Sequence, residues 1–224
     1  MHPSIHDFVA DAVEALELPD PVVEFGALQV EPEQDADLRP LFAGRRYLGT
    51  DMRAGPGVDR VEDLLSLSFE DGEVGTAICL ETLEHVTDPP AACRELARVV
   101  ADGGVAIVSA PTLLGVHAHP DDYFRFLPHG LEAMLAGFDD VWCHGLGDRE
   151  LPMWAIALAA KGRVLGIGLE HLPRTRSRQQ EFEAARGRFR VGPARWPARD
   201  LARAVLPQVP RVVRERLADR FRRP

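Results

Sequence analysis

The sequence predicts an α/β fold in which one open, mostly parallel sheet carries helices on both faces. Short apolar runs alternate with segments of helical periodicity along residues 4–160, and this order is typical of such sheets. Because ligands of open α/β sheets bind beyond the carboxyl ends of the strands, the residues that follow the runs predict a site at one edge of the sheet. These residues are Gly26, Asp51, Asp63, Glu81 and Ser109.

The first two apolar runs have the outline of a nucleotide-binding βαβ unit. The run over 21–26 ends at Gly26. The run over 46–51 ends at Asp51, and an acidic segment of helical spacing lies between the two runs. A carboxylate about 20 residues beyond a glycine turn accepts hydrogen bonds from ribose hydroxyls in units of this kind. The pattern therefore favours a nucleoside ligand with its ribose on Asp51, and a solvated strand end is the alternative.

Capping signals and apolar runs set the bounds of the predicted elements. The helices cover residues 4–18 with Ser4 as cap, a segment beginning at Asp35 or Asp37, residues 88–100, and residues 129–136. Asp88 followed by two prolines is the strongest of the helix starts, since proline suits the first turn. The predicted strands cover residues 21–26, 46–51, 59–62, 74–80, 105–109, 139–145 and 152–160.

The chain of 224 residues, 46% of them hydrophobic, is long enough for one α/β domain and an appendage. We place the domain over 1–162 and a helical C-terminal extension over 163–224. No apolar run approaches the ~18 residues of a membrane span, and the N-terminus lacks the regions of a secretory signal. The three cysteines are far apart and show no CxxC spacing, so we expect reduced thiols in a cytoplasmic protein.

The net charge of −9 hides a strong asymmetry between the body and the tail. Residues 161–224 carry 17 Lys+Arg and 6 Asp+Glu, whereas residues 1–160 carry 9 and 29. We expect this arginine-rich extension to dock on its own acidic body or on a sister subunit, and an anionic substrate or carrier and a membrane surface are the alternatives. Nucleic acid is disfavoured, because the acidic body repels phosphates. A helix is predicted over 176–190, and apolar positions continue among arginines over 200–206 and 211–222.

A loop rich in histidine, aspartate and aromatic residues follows the predicted strand over 105–109. Its run from His117 to Asp121 resembles a metallohydrolase ligand pattern, and histidine and carboxylate at such spacing bind zinc. However, Asp122 stands where a further histidine is expected, and the sequence offers no other cluster of ligands. We therefore predict no metal site, and we expect the loop to roof the acceptor side of the site.

Five segments share their order and spacing with one known family. They are Val22 to Gly26, Tyr47 to Asp51, Asp63 to Gly72, Leu80 to Pro89 and Glu95 to Gly104. Together they resemble the class I S-adenosylmethionine-dependent methyltransferases, in their small-molecule, methyltransferase type 11-like branch. The resemblance covers residues 20–110. It implies a Rossmann-like methyltransferase fold with a seven-stranded sheet, S-adenosylmethionine as methyl donor and S-adenosylhomocysteine as product.

The same resemblance implies the residues that hold the cofactor. Asp51 would accept from the ribose hydroxyls and Asp63 from the adenine amino group, while Leu64 offers its backbone N–H to the ring. The other members of the set lie along the adenine, at the glycine turn or beside the ammonium group. The complete cofactor set is Glu24, Gly26, Ala27, Asp51, Met52, Asp63, Leu64, Leu80 and Glu81.

One departure from the family pattern concerns the turn after the first strand. The family has Gly-x-Gly-x-Gly there, whereas only Gly26 remains in this chain, followed by Ala27 and Leu28. Glycines let the backbone approach the methionine part of the cofactor, so the loop must take another path. Their loss also disfavours an oxidoreductase, because a dinucleotide pyrophosphate needs the glycines and a helix N-terminus.

The acceptor side follows from the histidine-rich segments. His85, His117 and His119 are candidate bases, because histidine exchanges a proton near neutral pH. The candidate acceptor-binding residues are Asp121, Tyr123, Arg125 and His129. We expect methyl transfer to a small molecule, at a hydroxyl of a sugar or a specialised metabolite. The alternative is a non-catalytic methyltransferase-like subunit with impaired cofactor binding, whose tail mediates assembly with a partner enzyme.

Overall fold

A computed structural model describes residues 1–30, 37–117, 121–184, 188–191 and 194–197, the last two ranges through their backbone. The strands of its main sheet are β1 (Val22–Phe25), β2 (Tyr47–Asp51), β3 (Arg60–Val61), β4 (Val74–Leu80), β5 (Val100–Pro111), β6 (Asp140–Gly147) and β7 (Pro152–Ala160). Their order is β3-β2-β1-β4-β5-β7-β6. Only β7 runs against its neighbours. The predicted seven-stranded, mostly parallel sheet is thus confirmed.

The α-helices of the described residues are α1 (Pro3–Ala15), α2 (Pro89–Val99), α3 (Pro128–Met134) and α4 (Pro173–Ala184). Asp88 caps α2 as predicted, because its carboxylate accepts from the Ala91 N–H at 3.0 Å. The cap predicted for α1 is wrong. The side chain of His2, not Ser4, serves this helix, and it accepts from the Ser4 N–H at 3.2 Å. The helix also ends before residue 18, because Pro19 disfavours a helical conformation just ahead of it.

Neighbouring residues of β1 point to opposite faces of the sheet and enter separate apolar clusters. Val22 shares its cluster with Ile5 and Phe8 of α1. Val23 shares the other cluster with Leu96 of α2 and Leu131 of α3. Helices therefore cover both faces, as predicted, and β1 is buried along its whole length.

The helix predicted from Asp35 or Asp37 is wrong for the residues that the structure describes, a range that excludes Asp35. The chain there forms a single 3₁₀ turn over Arg39–Phe42. Asp37 caps this turn by accepting from the Arg39 N–H at 3.0 Å. Pro40 supplies no N–H, and Gly44 with φ +83° ends the segment, so a longer helix has no room to form.

Two strands differ from their predicted bounds. β5 begins directly after α2, at Val100 instead of residue 105, and its register against β4 shifts between Val74 and Thr76. β3 is shorter than the predicted strand over 59–62 and pairs with β2 through Arg60 and Val61. The change in β5 lies at its amino end, away from the predicted edge of the sheet, whereas β3 pairs with Thr50 and Asp51 at that edge.

The chain divides into two compact units, Met1–Glu183 and Ala184–Pro224. The helix predicted over 176–190 begins earlier and ends at Ala184. In the second unit, β8 (Arg188–Val191) and β9 (Ala194–Pro197) form an antiparallel hairpin. The segments at 200–206 and 211–222 lie outside the described residues. No helix in the described part of the chain is long and apolar enough to span a bilayer.

The first unit extends past residue 162 because α4 is fastened to the acidic face of α1. Arg174 donates to the Glu14 carboxylate at 2.6 Å, and Arg178 donates to Asp7 at 2.7 Å. The buried carboxylate of Asp11 accepts from the backbone of α4 as well. The first part of the predicted extension, through α4, therefore docks on the body.

Candidate active site

A cavity of about 850 Å³ opens at the carboxyl ends of β1, β2 and β4. Its volume lies in the range of small-molecule sites, roughly 300–1,000 Å³. Every residue predicted to bind the cofactor lines it. These are Glu24, Gly26, Ala27, Asp51, Met52, Asp63, Leu64, Leu80 and Glu81. The sheet thus gathers at one edge side chains that are far apart in the sequence.

The turn after β1 requires glycine on two grounds. Gly26 has φ +91°, a conformation that other residues rarely adopt. A Cβ added there would lie 2.1 Å from Oγ1 of Thr82. This hydroxyl donates to the Leu80 carbonyl at 2.9 Å. Gly26 therefore lets the end of β1 pass close to the turn that follows β4.

The altered glycine loop folds back onto the neighbouring chain segments. The Ala27 N–H donates to the Thr50 carbonyl at 2.9 Å, and the Gln29 N–H donates to the Pro56 carbonyl at 2.9 Å. Ala27 is buried, and Leu28 contributes to the cavity wall. The loop accommodates both side chains through these hydrogen bonds, and the cavity beside it stays open.

Glu24 is a buried carboxylic acid at the floor of the cavity. Burial raises its pKa from 4.5 to about 7, although a hydrogen bond from Tyr47 and the charge of Arg39 oppose the rise. The Tyr47 hydroxyl donates to Glu24 Oε2 at 2.5 Å. The hydroxyl of Thr50 donates to the Glu24 carbonyl at 2.9 Å. These bonds tie β1 to β2 directly below the glycine turn.

The two carboxylates predicted to hold the nucleoside lie at the cavity wall. Oδ1 of Asp51 accepts from the Arg53 N–H, and Oδ1 of Asp63 accepts from the Leu65 N–H, each at 2.9 Å. Met52 lies exposed beside Asp51 and offers apolar surface to a flat ring. Carboxylates that can accept from ribose hydroxyls and an adenine amino group, with this apolar neighbour, fit S-adenosylmethionine.

Glu81 adopts a strained backbone at the end of β4. Its φ is +48°, which is unusual for a residue with a side chain, and such strain is found at functional sites. Its carboxylate accepts from Trp154 Nε1 at 3.0 Å, and the Trp154 ring lies 4.5 Å from the His2 ring, between centroids. The acid is thereby held at the cavity wall, close to where a cofactor ammonium group is expected.

Sequence reasoning missed several residues that line the cavity or support its wall. They are Met1, His2, Pro3, Tyr47, Thr82, Glu84 and Trp154. Trp154 reaches the site because β7 is antiparallel to β5, so that Trp154 pairs with Pro111 at the carboxyl end of β5. The continuous apolar run of β7 alone gives no signal of its direction.

The end of the cavity where the sequence predicts the methyl acceptor, here called the acceptor end, is formed by the turn after β4 and the loop after β5. His85, His117, Asp121 and Tyr123 line it, together with Leu114. Nδ1 of His85 lies 2.5 Å from the Asp121 carbonyl, and the His85 and His117 rings meet edge to face with centroids 5.1 Å apart. Two imidazoles therefore share one end of the cavity, as the sequence predicted for His85 and His117.

Glu84 lies behind these imidazoles and is fully buried. Both of its carboxylate oxygens lack a hydrogen-bond partner among the described residues. Burial, together with the charges of Glu81 and Asp122, raises the pKa of Glu84 to about 8. Its carbonyl accepts from the Tyr123 N–H at 2.8 Å and so anchors the loop after β5.

The remaining predicted acceptor residues lie elsewhere. Arg125 pairs with Asp122, Nη2 to Oδ2 at 2.6 Å, and also donates to the Leu114 carbonyl at 3.1 Å. It organises the loop and does not line the cavity. The side chain of His129 is 99% exposed beside Glu132, and it does not line the cavity either. His119 lies outside the described residues.

Comparisons with known proteins agree with this geometry. A family model described as a methyltransferase domain matches residues 43–108, a range that includes Asp51, Asp63, Glu81 and His85. No curated protein matches the sequence.

Two solved structures show the fold. The chain is similar to one in a Haloferax volcanii complex between the Trm112 methyltransferase activator and a methyltransferase, with 15% identity and a TM-score of 0.51 over 70% of this chain and 90% of that one. It is also similar to Haemonchus contortus phosphoethanolamine N-methyltransferase 2 in complex with S-adenosylmethionine, with 10% identity and a TM-score of 0.53. That match covers 69% of this chain and 52% of the other.

The family match, the strand order and the cavity residues support one assignment. The matched range contains the end of β2 and the turn after β4, which carry the residues suited to the nucleoside and the ammonium group of the cofactor. Residues 43–108 match the methyltransferase-domain family and the fold around them is similar to that of two methyltransferase structures, and these findings support a methyltransferase enzyme that uses S-adenosylmethionine.

Proposed function

We propose that this enzyme methylates a hydroxyl oxygen of a small molecule. The observation that carries the proposal is the pair of imidazoles at the acceptor end of the cavity. Nδ1 of His85 faces the Asp121 carbonyl at 2.5 Å, so the proton of the neutral ring belongs on Nδ1. Nε2 is then free to take a proton from a hydroxyl in the cavity.

A hydroxyl oxygen needs such a base, whereas a neutral amine attacks without prior loss of a proton. Bound S-adenosylmethionine supplies the methyl group, and its sulfur keeps the electron pair of the broken carbon–sulfur bond. The residues of this chain position the reactants. Asp51 and Asp63 fix the nucleoside end, and the imidazole of His85 or His117 orients the acceptor and takes its proton.

The lining of the acceptor end favours a molecule with an apolar body and a hydroxyl group. Leu114 and Tyr123 contribute apolar surface beside the polar groups of His117 and Asp121. More apolar side chains are exposed on the same loop, namely Leu113, Val116, Phe124 and Leu127. A hydroxylated specialised metabolite suits this lining better than an unsubstituted sugar.

The open cavity argues against the non-catalytic subunit. That alternative drew on the altered glycine loop. The loop pairs with Thr50 and Pro56 instead of filling the site, and both nucleoside carboxylates remain at the cavity wall.

A screen of hydroxylated and amine acceptors tests the proposal. S-adenosylhomocysteine formation is measured for the wild-type enzyme, His85→Ala and His117→Ala, with His171→Gln as a control on an exposed histidine outside the cavity. We expect turnover on hydroxyl acceptors, and a kcat lower by roughly 100-fold in at least one cavity variant, with cofactor affinity unchanged. Turnover on amines alone, or full activity of both cavity variants, would contradict the proposal.

A further inference from the structure

We propose that Glu84, His85 and His117 form a binding site for one divalent transition-metal ion, with Zn²⁺ as the best fit. The site joins the turn after β4 to the loop after β5, at the acceptor end of the cavity. The local His-x-His-x-Asp pattern did not indicate this set of ligands, because two of the three residues lie in a different segment of the chain.

The ligand atoms are close enough for one ion. One ligand atom from each of the three side chains lies within 4.8 Å of the others, and His85 Nε2 is 3.8 Å from Glu84 Oε1. Zinc bonds of about 2.0–2.2 Å place tetrahedral ligands roughly 3.3 Å apart. Small side-chain rotations would close the difference between the observed and the ideal distances, without movement of the sheet.

The buried carboxylate of Glu84 is a second observation in favour of a bound cation. Its side chain is fully buried, and neither oxygen has a hydrogen-bond partner in the described ranges. Buried carboxylates are normally paired or bound to a metal, because an unpaired buried charge is costly. A cation held with the two imidazoles would satisfy both the charge and the free oxygens.

Both imidazoles have the second-sphere contacts that metal-binding histidines show. Nδ1 of His85 faces the Asp121 carbonyl at 2.5 Å. Nδ1 of His117 lies 3.2 Å from the Gly115 carbonyl and 3.4 Å from the Asp122 carboxylate. A proton on each Nδ1 serves these acceptors and leaves each Nε2 with a lone pair for a metal.

The acid behind His117 is itself fixed in place. The Asp122 side chain is 2% exposed, and its Oδ2 accepts from Arg125 Nη2 at 2.6 Å and from the His117 N–H at 2.9 Å. This arrangement explains why Arg125, although it lies outside the cavity, belongs to the acceptor side. Its pairing holds the carboxylate that orients the His117 ring.

Two histidines and one glutamate leave an open position in a four-coordinate site, which is the pattern of catalytic zinc. At this end of the cavity, the open position faces the acceptor. An ion there would lower the pKa of an acceptor hydroxyl, whose proton would pass to solvent, and the two imidazoles would hold the ion instead of serving as direct bases. This role rests on the proposed function, whereas metal binding does not.

Calorimetric titration of the untagged, EDTA-treated full-length protein with ZnCl₂ tests the site. His85→Ala, His117→Ala and Glu84→Gln are compared with the wild type, and His171→Gln serves as a matched control. Circular dichroism establishes that each variant is folded, and visible absorption of added Co²⁺ reports four-coordinate binding. We expect one Zn²⁺ per chain in the wild type and the control. In the ligand variants we expect the affinity for Zn²⁺ to fall by roughly 100-fold or more.

No stoichiometric binding to the wild type, or equal binding by folded His85→Ala and His117→Ala, would overturn the inference. Methyl transfer is then measured with and without chelator. Hydroxyl methylation that persists in chelator overturns the metal's role but leaves the proposed function in place. Zinc binding without turnover on any hydroxyl acceptor would support the metal site and contradict the proposed function.

Discussion

The two ends of the cavity are built in different ways. The cofactor end lies on strand termini: Asp51 ends β2, and Gly26 and Glu81 come directly after β1 and β4. Backbone hydrogen bonds hold these residues in place. The acceptor end lies largely on the loop after β5, which depends on the pairing of Asp122 with Arg125. From this difference we expect the strand ends to position the cofactor and the loop after β5 to position the acceptor.

The largest effect is expected at the glycine turn, and it should stay at the cofactor end. Gly26→Ala places a Cβ 2.1 Å from Thr82 Oγ1. Gly103→Ala is its matched control, because Gly103 has a similar φ of +81° but no atom within 4 Å of an added Cβ. Both variants carry about 1–2 kcal/mol of backbone strain, and the crowded site adds roughly 1–3 kcal/mol.

Thermal unfolding and titration with S-adenosylhomocysteine measure this difference. Gly26→Ala should lose more stability than Gly103→Ala and should bind the product more weakly, while the control binds as the wild type does. Equal losses of stability and equal product affinities in the two variants would contradict a destabilising contact between the added Cβ and Thr82.

A pH-dependent effect is expected at Glu24. Its pKa of about 7 lies above its value of 4.5 in an unfolded chain, so the folded state binds the extra proton between these values. Stability should therefore fall as pH rises from about 4.5 to 7, by at most roughly 3 kcal/mol. Glu24→Gln keeps an acceptor for Tyr47 and removes this titration. Melting curves between pH 5 and 8 should then decline less steeply for the variant, and parallel curves would rule the effect out.

Loss of the ion pair between Asp122 and Arg125 should affect the acceptor end alone. Arg125→Ala removes the partner of Asp122, and we expect the acceptor KM to rise about tenfold, or 1.4 kcal/mol. Arg178→Ala is the matched control, because Arg178 pairs with Asp7 between α4 and α1. Steady-state kinetics should show an unchanged cofactor KM in both variants. A cofactor defect in Arg125→Ala would erase the distinction between the two ends.

The smallest effect is expected from Trp154→Phe. This change removes the Nε1–H that donates to Glu81 at 3.0 Å but keeps an aromatic ring. We expect product affinity to fall about threefold, in line with one lost hydrogen bond to a charged group in a partly solvated site. Trp142→Phe, whose ring stacks on His144, serves as the control in the same titration and should bind as the wild type does.

The same contrast explains what the sequence could predict. Asp51 and Glu81 were predictable, because apolar runs mark the strands and parallel strands end at one edge. Glu84 was not, because nothing in its segment distinguishes a buried acid from its neighbour Glu81. The sequence predicted that Arg125 binds the acceptor. Its ion pair with Asp122 depends on the three-dimensional path of the loop, which the sequence does not show.

The elements show the same limits. Asp88 and its prolines predicted α2 well, because a cap acts within one turn. The acidic segment before Phe42 had helical spacing but too little chain between Asp37 and Gly44 for a helix with Pro40 inside it. His2 replaced Ser4 as the cap of α1, a choice that depends on side-chain geometry and not on residue type.

The most direct test of the central claim is calorimetric titration of the purified chain with S-adenosylhomocysteine, with Asp51→Ala beside it. We predict micromolar binding by the wild type, about 8 kcal/mol of free energy, and loss of that binding in a folded variant. Absence of binding to the folded wild-type chain would contradict the claim that the cavity at the carboxyl ends of β1, β2 and β4 holds the cofactor.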